Sequence, residues 1–256
     1  MRSRRLIPLL VYAIAGIFVV IAIFLVLAWF AFPIFSGIKK GAGNAVALNA
    51  MRQLGAAAGA YASQNDGSLP AADSKATDTW ADAASPENAN AWYNVLPRTL
   101  IYKGVDQYAA NPQAFYSREN ILFLPGAKYP ESDKKLAKPF FAIAINAKLQ
   151  RKDEKGEKPV KLAQITNPAR TVLLLEQGMP GEPKVMAIQP NYDGSPNGSA
   201  KSFVARYGGV GVVTFVDGHV EAVDGKDMLE QAVLPKFPLE PGDVIWSKTP
   251  AENPNK

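Results

Sequence analysis

The sequence has no cysteine and only one histidine, His219, in 256 residues. The missing cysteine excludes a disulfide framework, a cysteine nucleophile and every thiolate metal site. A single histidine excludes a metal site built on several histidines and a relay between two of them. Acidic side chains are absent from the N-terminal quarter, since the first is Asp66. The basic residues form no cluster of the kind that binds nucleic acid, so we expect no nucleic-acid partner. We also expect no cofactor.

The N-terminal segment is a long apolar run, with no charged residue from Leu6 to Ile38. As a helix, Leu6–Phe35 would measure about 45 Å at 1.5 Å per residue, whereas a bilayer core needs roughly 20 residues. The C-terminal end of the run carries the aromatic residues typical of a membrane interface, namely Trp29, Phe30, Phe32 and Phe35. We expect a transmembrane helix over residues 6–36, after a basic cytoplasmic N-terminus at residues 1–5.

A cleaved secretory signal is the alternative interpretation of this segment. Arg2, Arg4 and Arg5 would serve as its basic start. The apolar part of such a signal is roughly 7–15 residues long and is followed by a small-x-small cleavage site, and this run is about twice that length. The length therefore favours a permanent single-pass anchor. Because Lys39 and Lys40 follow the run, the charges favour a cytoplasmic N-terminus only weakly.

An amphipathic helix is expected over residues 37–66, after the membrane segment. Apolar residues recur there at helical spacing, in a stripe of Val46, Leu48, Met51, Leu54, Ala58 and Tyr61. The run Asn65-Asp66-Gly67 predicts the end of the helix, with Gly67 as a left-handed cap. The same run can suggest a calcium loop, but the alternating ligands of such a loop are missing.

Three positions near the junction of the two helices are candidates for packing between membrane helices. Gly37 and Gly41 have the small-xxx-small spacing that lets neighbouring helices approach closely, and Pro33 precedes them. Glycines at these positions could equally kink the junction.

The remaining chain predicts a β-rich globular domain with long loops at residues 67–234 and a Pro-rich tail at residues 235–256. Leu69–Asn90 has the composition of a surface loop, which Trp80, Trp92 and Tyr93 would attach to the core. Lys148–Lys161 predicts a solvated hairpin tip or loop. Short apolar runs predict strands at Asn120–Leu124, Phe140–Ile145, Thr171–Glu176, Val210–Val216, His219–Val223 and Val244–Trp246.

The clearest local signal is the pair Asp217-Gly218 between two β-rich runs, which predicts a hairpin with a type I′ turn. The expected fold class is therefore α+β. A long N-terminal helix, first transmembrane and then amphipathic, would pack on a small, mainly antiparallel sheet. The helix would contact the sheet through Leu48, Met51, Leu54 and Tyr61.

Four segments, in order, resemble the bacterial pilin-like proteins that carry the prepilin-type processing-associated motif, which is a His, nine residues and then Asp-Gly. They are Val19–Pro33 (VVIAIFLVLAWFAFP), Leu48–Pro70 (LNAMRQLGAAAGAYASQNDGSLP), Lys161–Glu176 (KLAQITNPARTVLLLE) and Arg206–Glu221 (RYGGVGVVTFVDGHVE). The family is similar to type II secretion pseudopilins. The resemblance implies a pilin-like fold, an anchor in the bacterial inner membrane and an extracytoplasmic domain. It also implies partners among lipids and other pilin-like or secretion-system membrane subunits.

The chain departs from the family pattern in its C-terminal motif and at two cysteine positions. Tyr207 stands where the motif has its His, nine residues before Asp217-Gly218. Some members carry cysteines where this chain has Ala47 and Leu124. If those two cysteines form one disulfide in the family, this chain has lost both of its ends.

The N-terminal processing pattern is also missing. Prepilins have a Gly, an aromatic residue and, further on, an acidic residue, and these fall on Val11, Tyr12 and Gly16 here. In the family, the intramembrane Glu is thought to neutralise the new N-terminal ammonium of a neighbouring subunit, and such a charge is costly without a partner. We expect an anchor that prepilin peptidase does not cleave and that does not join a filament in the usual staggered way.

Few residues suggest chemistry. Asp217, His219 and Glu221 alternate and could face one way around a metal, although the turn explains Asp217 and Gly218 better. Gly208–Gly211 lacks the Lys-Ser/Thr and the following helix of a phosphate loop. No carboxylate pair stands out as that of a hydrolase, so we expect no enzyme.

Two functions follow from these patterns. The first is a non-enzymatic, single-pass pseudopilin-like protein that is a structural or accessory component of a type II secretion or type IV pilus-like system. The alternative is a membrane-tethered extracytoplasmic module that binds a sugar or peptide through the Trp80–Tyr93 loop.

Overall fold

The computed structural model describes residues 43–73, 76–153, 156–233, 240 and 243–248. The chain divides into two compact units, Met1–Ala42 and Gly43–Lys256, and all described residues belong to the second. The predicted transmembrane helix, with Pro33, Gly37 and Gly41, lies outside the described residues. Within the described ranges, no helix has the length and apolar character required to cross a membrane.

Helix α1 occupies residues 43–64 of the described chain. Its buried face repeats every three to four residues, as an α-helix requires, and consists of Ala47, Ala50, Met51, Leu54, Ala57, Ala58 and Ala62. Val46 was expected in this stripe but is exposed, because the buried face passes through its neighbour Ala47. The helix ends as predicted. Asp66 and Gly67 have φ values of 53° and 72°, and the Gly67 N–H donates to Ala62 O over 2.8 Å.

The main sheet has five strands in the order β5-β1-β4-β6-β7. β1 pairs antiparallel with β4, β4 with β6, and β6 with β7, while β5 runs parallel to β1. The sheet is therefore mixed, with one parallel pairing. The strands are β1 Ile143–Asn146, β4 Val172–Glu176, β5 Asn197–Gly198, β6 Val210–Phe215 and β7 Val220–Asp224. The remaining strands, β2 (Gln150–Asp153) and β3 (Gly156–Pro159), form a separate antiparallel hairpin in the segment predicted to be a hairpin tip or loop.

Both faces of the central strands are covered, and every residue of β1 and β4 is buried. One core contains Met51 and Leu54 of α1 together with Ile143, Leu174 and Val212 of the sheet. A second core includes Leu175, Val213, Met228 and Trp246. Burial on both faces explains why β4 is a continuous apolar run rather than an alternating one.

Five further helices complete an α+β fold in the described part of the chain. They are α2 Trp80–Ala83, α3 Trp92–Thr99, α4 Pro112–Phe115, α5 Ser132–Ala137 and α6 Gly225–Val233. The predicted Leu69–Asn90 loop thus contains a short helix. Thr79 caps this helix by accepting the Asp82 N–H over 3.0 Å.

The predicted strand at Asn120–Leu124 is wrong, because these residues form turns. Ile121, Leu122 and Leu124 are buried without pairing in a sheet. The Asn120 side chain bonds locally to Phe115 O and to the Leu122 N–H. A short apolar run cannot distinguish these two outcomes by periodicity. The run at residues 244–246 forms only one parallel bridge, from Ile245 to Thr171.

Candidate functional site

The predicted hairpin is present between β6 and β7, but its turn is not type I′. The Gly218 N–H donates to Phe215 O, and the Phe215 N–H donates to His219 O, both over 2.9 Å. Gly218 has a φ of 92°, whereas a type I′ turn would also require a positive φ at Asp217. The connection is a three-residue loop that ends in a left-handed glycine. The pairing is therefore offset from the predicted two-residue turn.

His219 lies between two carboxylates at the surface of this hairpin. Its Nδ1 is 2.6 Å from Asp217 Oδ1, and its Nε2 is 3.4 Å from Glu221 Oε1. Its ring stacks on Phe215 with centroids 4.4 Å apart. The expected alternation therefore brings the three polar residues together, but the imidazole nitrogens face separate carboxylates. Among the described residues, no group of three His, Cys, Asp or Glu side chains could hold a metal ion.

Helix α1 approaches the hairpin at Gly55. A Cβ atom at Gly55 would lie 2.7 Å from Thr214 Cγ2 and 3.2 Å from Gly218 O. The Thr214 hydroxyl donates to Met51 O over 3.2 Å. Among the predicted helix–sheet contacts, Met51 and Leu54 are fully buried, while Leu48 and Tyr61 are partly buried against the same core.

Tyr207 lies at the opposite end of β6 from Asp217-Gly218-His219. The six residues of β6 separate them by roughly 17–20 Å of extended chain, so Tyr207 and the turn do not share one site. The Tyr207 ring packs against two glycines, Gly43 of α1 and Gly126. A Cβ atom at either glycine would lie 2.9–3.0 Å from Tyr207 Cε1. A side chain at either glycine would therefore press against the same edge of this ring.

The glycine-rich run before β6 forms a turn and a close contact. Gly208 and Gly209 have φ values of 77° and 101°, a conformation that favours glycine. A Cβ atom at Gly211 would collide with Val204 O. The run therefore serves the backbone path into β6, in agreement with the lack of a phosphate-loop pattern.

The Tyr207 hydroxyl donates to Glu176 Oε1 over 3.1 Å, and this bond leads into a buried charge cluster. We define the cluster as Glu176, Glu182, Arg206 and Tyr207. Arg206 Nη1 donates to Glu176 Oε1 over 3.0 Å. Its Nε and Nη2 donate to the two oxygens of Glu182 over 2.9 and 2.8 Å. The Arg206 and Glu182 side chains are each 4% exposed, and that of Glu176 is 0% exposed.

Backbone groups complete the hydrogen bonding of the cluster. The Val212 N–H donates to Glu176 Oε2 over 2.9 Å. The N–H groups of Lys128 and Met179 donate to Glu182 over 2.9 and 2.8 Å. Arg206 also donates to the carbonyls of Gln177 and Ala142, so all five guanidinium donors are used. The cluster joins the end of β4, the loop at residues 124–129 and the start of β6.

Burial dominates the ionisation of the cluster. Burial raises the pKa of Glu176, while Arg206, the Val212 N–H and Tyr207 oppose that rise. Burial also opposes the charge of Arg206, but Glu176 and Glu182 outweigh it and raise the pKa of the guanidinium. Burial and then the charge of Glu176 raise the pKa of Tyr207. Tyr207 is therefore a neutral donor at ordinary pH, and Arg206 remains charged.

The sequence patterns did not identify Glu176, Glu182 or Arg206, because Arg206 is distant in the chain from the two carboxylates that it pairs with. One signal was present in the sequence. Glu176 ends the apolar run TVLLLE, and a carboxylate at the end of a buried strand needs a partner. The identity of that partner depends on the pairing of β4 with β6, which the sequence does not specify.

The two positions at which some members of the resembling family carry cysteine lie in the same core. Ala47 and Leu124 are both fully buried and belong to the cluster that joins α1 to the sheet. Small and apolar side chains thus fill positions at which a cystine would be buried.

The aromatic residues proposed for ligand binding are part of the core. Trp80 is 5% exposed, and Trp92 and Tyr93 are fully buried. Trp92 Nε1 donates to Pro196 O over 3.0 Å, and the Tyr93 hydroxyl is 3.0 Å from that of Thr77. These rings therefore attach the 69–90 segment to the core, as expected, and offer no open face for stacking.

A polar cleft of about 340 Å³ lies beside this segment. Its walls include Asp73, Asp78, Asp193, Asn197 and Lys138. Asp73 accepts from Thr77 and Asn197, and Asp193 accepts from Gln177 and from the Ser195 N–H. Most of the polar groups in the cleft are thus engaged with one another.

No protein-family model matches this chain, and no curated protein or solved structure matches it.

Proposed function

We propose that this protein is a non-enzymatic, membrane-anchored, pseudopilin-like component of a type II secretion or type IV pilus-like system. It would have a structural or accessory role, in the bacterial inner membrane, with its globular domain extracytoplasmic. The observation that carries the proposal is the packing of α1 on the sheet. The apolar face of the helix at Met51 and Leu54 is buried in the main core, and Gly55 lies against the β6–β7 hairpin.

This packing supports a role in which the globular domain is held at the end of a long helix. The helix contact and the hairpin belong to two of the four segments that carry the pilin-like resemblance, Leu48–Pro70 and Arg206–Glu221. The partners would be membrane lipids and the helices of other pilin-like or secretion-system subunits, contacted through Leu6–Phe35. Pro33, Gly37 and Gly41 would form the close contacts between helices.

The missing processing pattern distinguishes this protein from a typical assembling subunit. Without the acidic residue that Gly16 replaces, the anchor has no partner for a free N-terminal ammonium in the membrane. We therefore propose that prepilin peptidase does not cleave the chain and that it remains a permanent anchor.

Crosslinking from within the anchor tests the proposed assembly. A photoreactive amino acid at Gly37 or Gly41 should give adducts with other membrane helices in intact cells, and a matched substitution at Lys226 on the exposed side of α6 should not. Exclusively monomeric, lipid-only adducts from both anchor positions would contradict the proposal.

A membrane-tethered binding module is the second candidate, and the polar cleft favours it. Because the three aromatic rings are buried, a ligand would bind through carboxylate, amide and hydroxyl groups and not by stacking on Trp80 or Trp92. Protection of residues 73–78 and 193–197 from hydrogen exchange by a sugar or peptide would support this function. Activity that survives replacement of the anchor by an unrelated membrane helix would also favour it.

A further inference from the structure

The buried cluster contains more negative than positive charge. Glu176 and Glu182 are both ion-paired to Arg206, and within the described part of the chain no second cation pairs with either carboxylate. Lys128 contributes its backbone N–H to Glu182. With both carboxylates ionised, the cluster carries one uncompensated negative charge, and a buried charge of this kind is costly unless a proton removes it.

The two carboxylates differ in how firmly their charge is held. Glu182 receives four N–H donors, two from Arg206 and two from the backbone, and none of these donors can accept a proton. Glu176 receives one guanidinium N–H, one backbone N–H and the Tyr207 hydroxyl. A hydroxyl can both donate and accept. Glu176 is therefore the carboxylate whose protonated form has an acceptor ready within 3.1 Å.

Among the described residues around Glu176, none offers another site for this proton. Arg206 and Tyr207 bond to Glu176 directly, whereas Glu182 is linked to it through Arg206. Tyr129 lies near Arg206 and Glu182, and its hydroxyl already accepts the Leu124 N–H over 3.0 Å. Tyr192 lies near the same charges and donates to Gln189. Burial raises the pKa of both tyrosines, so they remain neutral and compensate no charge.

We propose that the cluster binds one proton, shared along the Glu176–Tyr207 hydrogen bond, and that this proton controls how firmly Tyr207 is held between α1 and the 124–129 loop. In the protonated state, Glu176 donates to the Tyr207 oxygen, and the remaining Arg206–Glu182 pair is balanced in charge. When the proton leaves to solvent, the Tyr207 hydroxyl turns to donate to the Glu176 carboxylate. The cluster then carries one net negative charge.

The net charge favours any movement that admits water to the cluster. Tyr207 belongs to the main core, and its ring contacts Gly43 of α1 and Gly126. The described N-terminal end of α1 is therefore expected to be held more loosely in the deprotonated state. This device is independent of the proposed membrane role, because it concerns residues within the globular unit alone.

The direction of the pH effect follows from linkage. The pKa of Glu176 is higher in the folded state than in the unfolded state, so folding takes up a proton over this interval. The stabilisation is complete below the unfolded pKa and is lost as the pH rises through the folded pKa. The equilibrium constant for folding should fall by up to about tenfold per pH unit in that interval.

Hydrogen exchange of the full chain in nanodiscs, measured across the pH range in which the chain stays folded, tests the proposal. After correction for the intrinsic pH dependence of exchange, residues 43–50 and 207–212 should lose protection as the pH rises. Glu176→Gln, which keeps the shape without the titration, should abolish this loss. Asp224→Asn, which removes an exposed carboxyl on β7, should leave it unchanged. The same pH dependence in the wild type and Glu176→Gln would overturn the proposal.

Infrared difference spectra of the wild type test the same proposal if Glu176→Gln does not fold. The wild type should show the carbonyl stretch of a protonated carboxylic acid that disappears as the pH rises through the same interval. Tyr207→Phe, which removes the hydroxyl that donates to the Glu176 carboxylate but keeps the ring, should shift this interval to higher pH. A cluster with no protonated carboxyl at the acidic end would overturn the proposal.

Discussion

Tyr207 donates a hydrogen bond to Glu176 over 3.1 Å while its ring packs against Gly43 of α1. One side chain therefore connects the helix to the buried charge cluster at the end of β4. This position, where the resembling family has a His, is structurally separate from the Asp217-Gly218 turn at the other end of β6. Tyr207 and Asp217-Gly218, which stand at the two parts of the resembling motif, therefore lie at opposite ends of β6.

Removal of the central cation of the cluster should strongly destabilise the domain. Arg206→Met leaves Glu176 and Glu182 buried without their partner, and such a loss costs about 3–5 kcal/mol. Arg206→Lys should recover only part of this free energy, since lysine cannot donate the paired N–H bonds to Glu182. Urea unfolding measures both effects. Lys226→Met on the exposed side of α6 is the control and should change the free energy of unfolding by less than about 0.5 kcal/mol.

Alanine substitutions at two glycines of α1 should change the stability of the protein in opposite directions. Gly59→Ala meets nothing within 4 Å and should stabilise the protein by about 0.5–1 kcal/mol through helix propensity. Gly55→Ala gains the same propensity but places a methyl 2.7 Å from Thr214 Cγ2 and 3.2 Å from the backbone oxygen of Gly218. Overpacking of this kind costs about 1–3 kcal/mol. Thermal unfolding of the pair should therefore show a gain and a loss, and two gains would contradict the close contact of α1 with the hairpin.

How far the sequence predicts this structure depends on the range of the interactions involved. The end of α1 at Gly67 and the β6–β7 hairpin follow from local preferences, because a left-handed glycine stops a helix and Asp-Gly favours a turn. The predicted turn type was wrong. A shift of the β6–β7 pairing by one residue changes the backbone angles of the turn, but the same Asp-Gly signal is compatible with both pairings. The Glu176–Arg206 pair could not be predicted, because it depends on which strands lie side by side.

Ile101, two residues after the end of α3, has a backbone conformation that is unfavourable for a β-branched residue. Its φ is 67° and it is 97% exposed, while the Tyr102 N–H donates to Pro97 O over 2.9 Å in a helix-ending motif. Glycine is favoured at this position, so Ile101→Gly should stabilise the domain by about 1 kcal/mol. Ile101→Ala is the matched variant, because it shortens the side chain but keeps the Cβ and should give much less. Equal gains in thermal unfolding would show that the backbone strain is not the cause.

The ion pair that follows the end of α1 should make Asp66 unusually acidic. A hydrogen bond from Lys161, together with its charge, lowers the pKa of the Asp66 carboxyl. A carboxyl whose pKa is lowered on folding adds stability above its unfolded pKa, and this stability is lost as the pH falls through the folded pKa. NMR titration of Asp66 should show the lowered pKa, and Lys161→Met should return it towards the ordinary value. An unchanged titration in this variant would exclude Lys161 as the cause.

The mature N-terminus of the protein, read by mass spectrometry from isolated membranes, tests the central claim most directly. A permanent pseudopilin-like anchor predicts an N-terminal peptide that retains Arg2, Arg4 and Arg5. A chain that begins near Tyr12 would contradict the claim, because it would show that prepilin peptidase processes the protein despite the missing recognition pattern.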